Sequence, residues 1–249
     1  MAISPIESAL RVKLAACYRL VHLYGMTDLI STHISVRLPK SITNGEDQFL
    51  INPYGMFFDE ITASSLVKID MKGNILSDTN YPINQAGFII HGAIHEARED
   101  VECIVHTHTR AGVAVSAQKK GLLPISQQAS LVLGSLAYHD YEGIAVYEEE
   151  RKSLQRDLGE NEYFILKNHG LLTASNSVEE AFWGMYILET ACQIQIAAQS
   201  GGGELIYIND QVLAGVDKAV ENMKALHPAF LSWDGLIRKI EKIDPSFKD

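Results

Sequence analysis

The sequence predicts a mixed α/β layered fold, with helices at both ends of the chain and strands between them. Three observations predict it: an apolar helical stripe over residues 4 to 25, several short β-branched runs between 33 and 109, and a long apolar helix from 177 to 198. The chain has 249 residues, 47% of them hydrophobic, which is enough to bury a sizeable core.

The elements follow in order. Ile6, Ala9, Leu10, Leu14, Cys17 and Leu20 share one helical face, and Gly25 is placed to end that helix. "HISVRLP", "DQFLINPYG" and "SLVKIDMKGNIL" read as strands of an antiparallel meander, with turns at Asn44-Gly45 and Gly73-Asn74. Residues 84 to 98 read as a helix, "VECIVHTHT" as a buried strand, and 110 to 121 as a helix closed by Gly121. One or two short strands are expected over 136 to 147. "EYFILKNHGLLTAS" reads as a hairpin turning at Asn168-His169-Gly170. Ser177 and Glu180 have capping-box spacing, and "SGGG" at 200 to 203 stops the helix they open. Residues 1 to 205 are read as one domain. Residues 206 to 249 are more polar and are read as a C-terminal extension of one or two peripheral helices.

Composition narrows the function. A net charge of −10 disfavours nucleic acid or an anionic membrane as partner, though it leaves room for a small basic pocket. Cys17, Cys103 and Cys192 are far apart in apolar settings and read as reduced core residues. No signal peptide is expected from "MAISPIESAL", and no run of about 18 apolar residues suggests a membrane span. The expectation is a cytoplasmic protein acting on a small molecule.

The chemistry-bearing residues are histidines. His106 and His108 alternate at the end of a strand, so they point to the same side. Alone, such a pair reads more readily as two hydrogen-bonded or surface histidines than as metal ligands. His169, in a predicted turn between apolar strands, supplies a third imidazole. Three ligands with open positions suit a catalytic divalent metal. Zinc is the default, with iron, manganese and cobalt also compatible. His91 and His95 lie four apart on a predicted helix, but Gly92 stands where a zinc-protease glutamate would be, and His91 is expected to make a core hydrogen bond near the site. His22, His139 and His227 carry no pattern. No phosphate-binding loop and no nucleophile elbow is present in the sequence.

With these residues assembled, the chain resembles the class II aldolase/adducin family over about residues 6 to 205. "TASSLVKID", "GLLPIS", "AYHDYEGI", "KNHGL" and "SVEEAF" resemble its adducin-like branch. The resemblance implies a three-layer α/β/α fold with a mostly antiparallel central sheet. It implies a metal held by His106, His108 and His169, and a homotetramer with sites at subunit interfaces. It also exposes departures from the family's sugar-phosphate aldolases. Gln85 stands where their glutamate base stands. Thr32-His33, Tyr54-Gly55 and Ile83-Asn84 replace their phosphate-binding residues, and Gln127 or Gln128 replaces a tyrosine proton donor.

A glutamine cannot take up a proton at neutral pH. Loss of CO₂ creates an enolate without a base, so the swap tilts the expectation from aldol chemistry towards decarboxylation of a small oxo or hydroxy acid or sugar derivative. Gln85 is expected to donate to a substrate oxygen and Arg110 to pair with a carboxylate; His33 and Tyr141 are the candidates for proton transfer. The alternative is a non-catalytic adducin-head-like module for oligomerisation or binding.

Overall fold

The computed structural model describes residues 3–144 and 147–249. Ser4 caps the first helix, α1 (Pro5–Leu23), by accepting the Glu7 N–H at 3.1 Å. Pro5 fits its first position because that N–H would have no helical partner. Gly25, at φ +68°, turns the chain out of the helix.

The strands are β1 (His33–Arg37), β2 (Gln48–Ile51), β3 (Val67–Asp70), β4 (Cys103–Thr107), β5 (Leu136–His139), β6 (Tyr163–Leu166) and β7 (Gly170–Ser175). They form one seven-stranded sheet in the order β3-β2-β1-β4-β7-β6-β5. Neighbours are antiparallel except β5 and β6, which run parallel. The mostly antiparallel sheet expected from the sequence is therefore present.

Alternation along the strands makes two apolar faces. Cys103, Val105, Ile34, Val36 and Ile165 face one way, against Leu14, Tyr18 and Val21 of α1 and Phe182, Met185 and Leu188 of α6 (Val178–Ser200). Ile104, Phe164, Leu166 and Leu172 face the other way, against Ile90 and Ile94 of α2 (Gln85–Ala97) and Leu154 and Leu158 of α5 (Glu150–Leu158). Each such side chain contributes roughly 1.5–3 kcal/mol on burial. The result is helix layer, sheet, helix layer. Cys17, Cys103 and Cys192 are free and buried, and burial pushes all three thiols upward in pKa.

One of the one or two short strands expected over 136 to 147 is present as β5, and residues 145 and 146 lie outside those described. Two expectations need correction. The helix from Arg110 is α3 (Arg110–Ser116) and does not reach Gly121; Gln118 instead turns its amide onto Gln195 and Gln199 of α6. The chain after 204 holds α7 (Asp210–Leu213), α8 (Val216–Lys224), α9 (Pro228–Ile243) and a 3-10 turn (Pro245–Lys248). It is not wholly peripheral. Trp233, Ile240 and Phe247 join the core formed by α1 and α6, and Arg19 of α1 binds Asp244 at 2.8 Å. A further helix, α4 (Gln127–Leu133), is capped by Ser126.

Candidate metal centre

The sheet register builds the site. His33 of β1 pairs with His106 of β4, and Thr107 pairs with Leu171 of β7. His108 follows β4, and His169 immediately precedes β7. The turn between β6 and β7 is made by Asn168 at φ +58°, a conformation that asparagine tolerates. Two adjacent strands thereby bring three imidazoles to one point. Their nitrogens lie within 4.8 Å of one another. The ring centroids are 4.7, 4.8 and 4.9 Å apart.

The hydrogen bonds fix which nitrogen is free. His106 Nδ1 lies 2.8 Å from the Leu171 carbonyl, which can only accept, so Nδ1 carries the proton. His108 Nδ1 lies 3.1 Å from the Asp28 carboxylate, which assigns it the proton in the same way. Both Nε2 atoms then present lone pairs, and they face each other at 2.9 Å. Two lone pairs at that distance repel unless a cation lies between them. A divalent metal would take those lone pairs as ligands, with His169 able to supply a third imidazole nitrogen. The donor set fits a divalent metal.

Glycine clears the space. A β-carbon on Gly170 would stand 2.4 Å from the Thr107 carbonyl oxygen, 3.0 Å from the His108 ring and 3.4 Å from the His106 ring. The neutral form that ligation requires is also favoured. Burial lowers His106 well below the ordinary imidazole value, helped by neighbouring imidazoles; burial and His108 lower His169 to about 4.

A buried relay lies behind the triad. The His33 ring is 5.0 Å from the His106 ring, and its Nδ1 is 2.9 Å from His91 Nε2. His91 Nδ1 is 2.7 Å from Ser35 Oγ, which is 2.9 Å from His95 Nε2. His91 and His95 thus share a helix face, as their spacing implied, but that face bonds β1. Burial holds His33, His91 and His95 well below the usual value. A β-carbon on Gly87 would meet the His33 ring at 2.8 Å, so the first turn of α2 presses directly on it.

The other residues named from the sequence make no hydrogen bond to the triad among the described residues. Gln85 is the exposed first residue of α2, just after Asn84, whose side chain caps the helix. Arg110 is the exposed first residue of α3, two places past His108. Tyr141 is 53% exposed beyond β5, so no packing fixes its hydroxyl at the triad. Gln127 and Gln128 open α4. Asp28 was not singled out by sequence reasoning. Its partner is 80 positions away, and the only local cue is a carboxylate shortly before the strand that bears His33.

A model of the Class II Aldolase and Adducin N-terminal domain matches residues 12–196. The chain belongs to the class II aldolase and adducin family. A Pseudomonas aeruginosa protein whose name places it provisionally among class 2 aldolases is 51% identical over 249 residues, covering 99% of this chain and 94% of that one. Rat alpha-adducin is 49% identical over 209 residues, covering 82% of this chain but 28% of its own length. An aldolase II superfamily protein from Pseudomonas syringae has a crystal structure matching with a TM-score of 0.90 at 48% identity, covering 99% and 98% of the two chains. L-fuculose 1-phosphate aldolase from Glaciozyma antarctica matches with a TM-score of 0.76 at 28% identity, covering 88% and 85%. Both branches of the family, aldolase and adducin, are thus similar to this chain.

Proposed function

We propose that this family member is a divalent-metal-dependent carbon–carbon lyase, of decarboxylase or aldolase type, acting on a small oxo or hydroxy acid or sugar derivative. The observation that carries the reading is the pair of facing Nε2 atoms, each left with a free lone pair by the partner of its own Nδ1. Zinc is the first choice of metal, since three imidazoles with open positions are a zinc donor set. A bound metal supplies Lewis acidity towards a substrate carbonyl and stabilises the negative charge that develops as the carbon–carbon bond breaks.

The chain's own residues do the rest. His106, His108 and His169 hold the metal. Gln85 donates an amide N–H to a substrate oxygen. Arg110 pairs with the substrate carboxylate. His33 makes no hydrogen bond through Nε2 among the described residues, and its Nδ1 is tied into the relay, so it is the group we assign to proton transfer. Tyr141 is the second candidate for that step. Without a carboxylate at 85, a route that forms the enolate by losing CO₂ is favoured over one that needs a base. The reading includes a cytoplasmic homotetramer with sites between subunits; exposed Leu29, beside Asp28, and exposed Tyr141 and Ile144, beyond β5, are apolar surface for such a contact.

The second reading is a non-catalytic module of the adducin-head kind. It is favoured by Gln85 and by the 49% identity to rat alpha-adducin. One experiment separates the two. The purified protein is analysed for metal and screened, metal-loaded, for CO₂ or aldehyde release from small keto and hydroxy acids. Stoichiometric metal and turnover, both lost in His106→Ala/His108→Ala, support the lyase. A protein that takes up no metal and turns over nothing supports the module.

A further inference from the structure

We propose that Asp28 is a positioning residue of the metal centre, orienting His108 and adding the negative charge that the three neutral imidazoles lack. The proposal rests on the metal reading above. Its basis is a contrast between two ligands. His106 is anchored through Nδ1 by a neutral backbone carbonyl, Leu171. His108 is anchored through Nδ1 by a carboxylate, Asp28, at 3.1 Å. Among the described residues, Asp28 is the carboxylate in hydrogen-bond contact with the triad. A carboxylate on the far nitrogen fixes the tautomer and ring orientation and makes Nε2 a better donor.

The backbone around Asp28 is shaped to aim it. Leu29 adopts φ +47°, a left-handed conformation uncommon for a bulky side chain. Its side chain is 70% exposed, so this conformation serves no packing of Leu29 itself. The Ser31 N–H closes the turn onto the Asp28 carbonyl at 2.9 Å. The side chain of Asn84, the cap of α2, reaches the Ser31 carbonyl at 3.5 Å. The loop between α1 and β1 is thereby tied to the helix that presses on His33. With Gln85 uncharged, Asp28 is placed to offset the charge of a cation from one bond further out.

The test measures Zn²⁺ and Co²⁺ affinity by competition with a chromophoric chelator, in wild type, Asp28→Asn and Asp28→Ala, alongside thermal melts of the metal-free proteins. The expected result is a roughly 10- to 100-fold loss of affinity in Asp28→Ala. Asp28→Asn keeps an acceptor oxygen and should recover part of the loss. The Co²⁺ absorption spectrum should shift in Asp28→Ala, which a purely structural role would not produce. Metal-free melting should stay within a few degrees of wild type; should Asp28→Ala fail to fold, Asp28→Asn and its spectrum decide alone. Affinities and spectra equal to wild type in both variants would overturn the role of Asp28 while leaving the metal reading intact. A wild-type protein that binds neither ion would remove the metal reading, and this inference with it.

Discussion

Gly170→Ala tests the geometry of the centre without touching a ligand. Gly170 pairs with Leu166 at the start of β7, and no positive φ is involved, so only space opposes a side chain. The added carbon would lie 2.4 Å from the Thr107 carbonyl oxygen, where 3.4 Å is ordinary contact. The backbones of β4 and β7 must part by about 1 Å, since the clashing atom is main chain and cannot rotate away. Overpacking of this kind costs about 1–3 kcal/mol. For a chain of this length that is a fall of roughly 2–12 °C in Tm. The same shift opens the 2.9 Å gap between His106 and His108, because both flank Thr107. If the strain is expressed against the metal-bound geometry, Kd should weaken roughly 5- to 140-fold. The assay pairs thermal melts with metal titration. Gly184→Ala is the control, since its new carbon meets a Tyr163 ring carbon at 3.2 Å and no atom of the triad. A Gly170→Ala protein that binds metal as wild type does, with an unchanged Tm, would refute the idea that this glycine keeps the ligands in register.

On the proposed reading Gln85→Glu should tighten metal binding, since it adds a carboxylate at a helix N-terminus that favours one; unchanged or weaker affinity by titration would place residue 85 away from the ion. Stripping the metal with a chelator should remove about 3 kcal/mol of linkage at a hundredfold excess over Kd, a fall of roughly 6–12 °C in Tm that leaves the chain folded because the core stands without it; complete unfolding by circular dichroism would mean that the site is structural. Glu7, held between Arg11 and Lys68 at 2.9 Å each, gives a pH test. Burial pushes its carboxyl up, but the hydrogen bonds from Lys68 and Arg11 outweigh this and hold it below the usual range. Its stabilisation is therefore present above the unfolded carboxylate value of about 4.3 and is lost as pH falls through the lower folded value. Glu7→Gln should cost about 3 kcal/mol or more at pH 7 in urea melts, and the gap to wild type should narrow in acid below about pH 4.

The parts of the fold that were legible in the sequence are those with strong periodicity or a cap. The helix read over 84 to 98 is α2, Gln85–Ala97, and Ser177 accepts the Glu180 N–H as its spacing implied. The hairpin turn at 168 to 170 holds because its strands are apolar and its turn residue tolerates a left-handed backbone. By contrast, α5 was not anticipated. Its sequence "ERKSLQRDL" offers only Leu154 and Leu158 as apolar anchors, and its other role is polar, with Asp157 reaching His139 at 2.8 Å. The extension after 205 looked polar because its buried contacts come from a few large residues, Trp233, Ile240 and Phe247, rather than from a continuous stripe. At the site, the three histidines are legible from their motifs. Their support is not. The Leu171 carbonyl, Asp28 and the relay through Ser35 become visible only when strands distant in sequence are laid side by side.

The three sealed thiols have a practical consequence. Because each is buried, an alkylating reagent added to the native protein must wait for the interior to open, so the labelling rate is a clock for that opening. A single cysteine introduced on the surface, such as Ile206→Cys, would then be modified ahead of all three. A fluorescent reporter can be attached just past α6 with every native cysteine left in place.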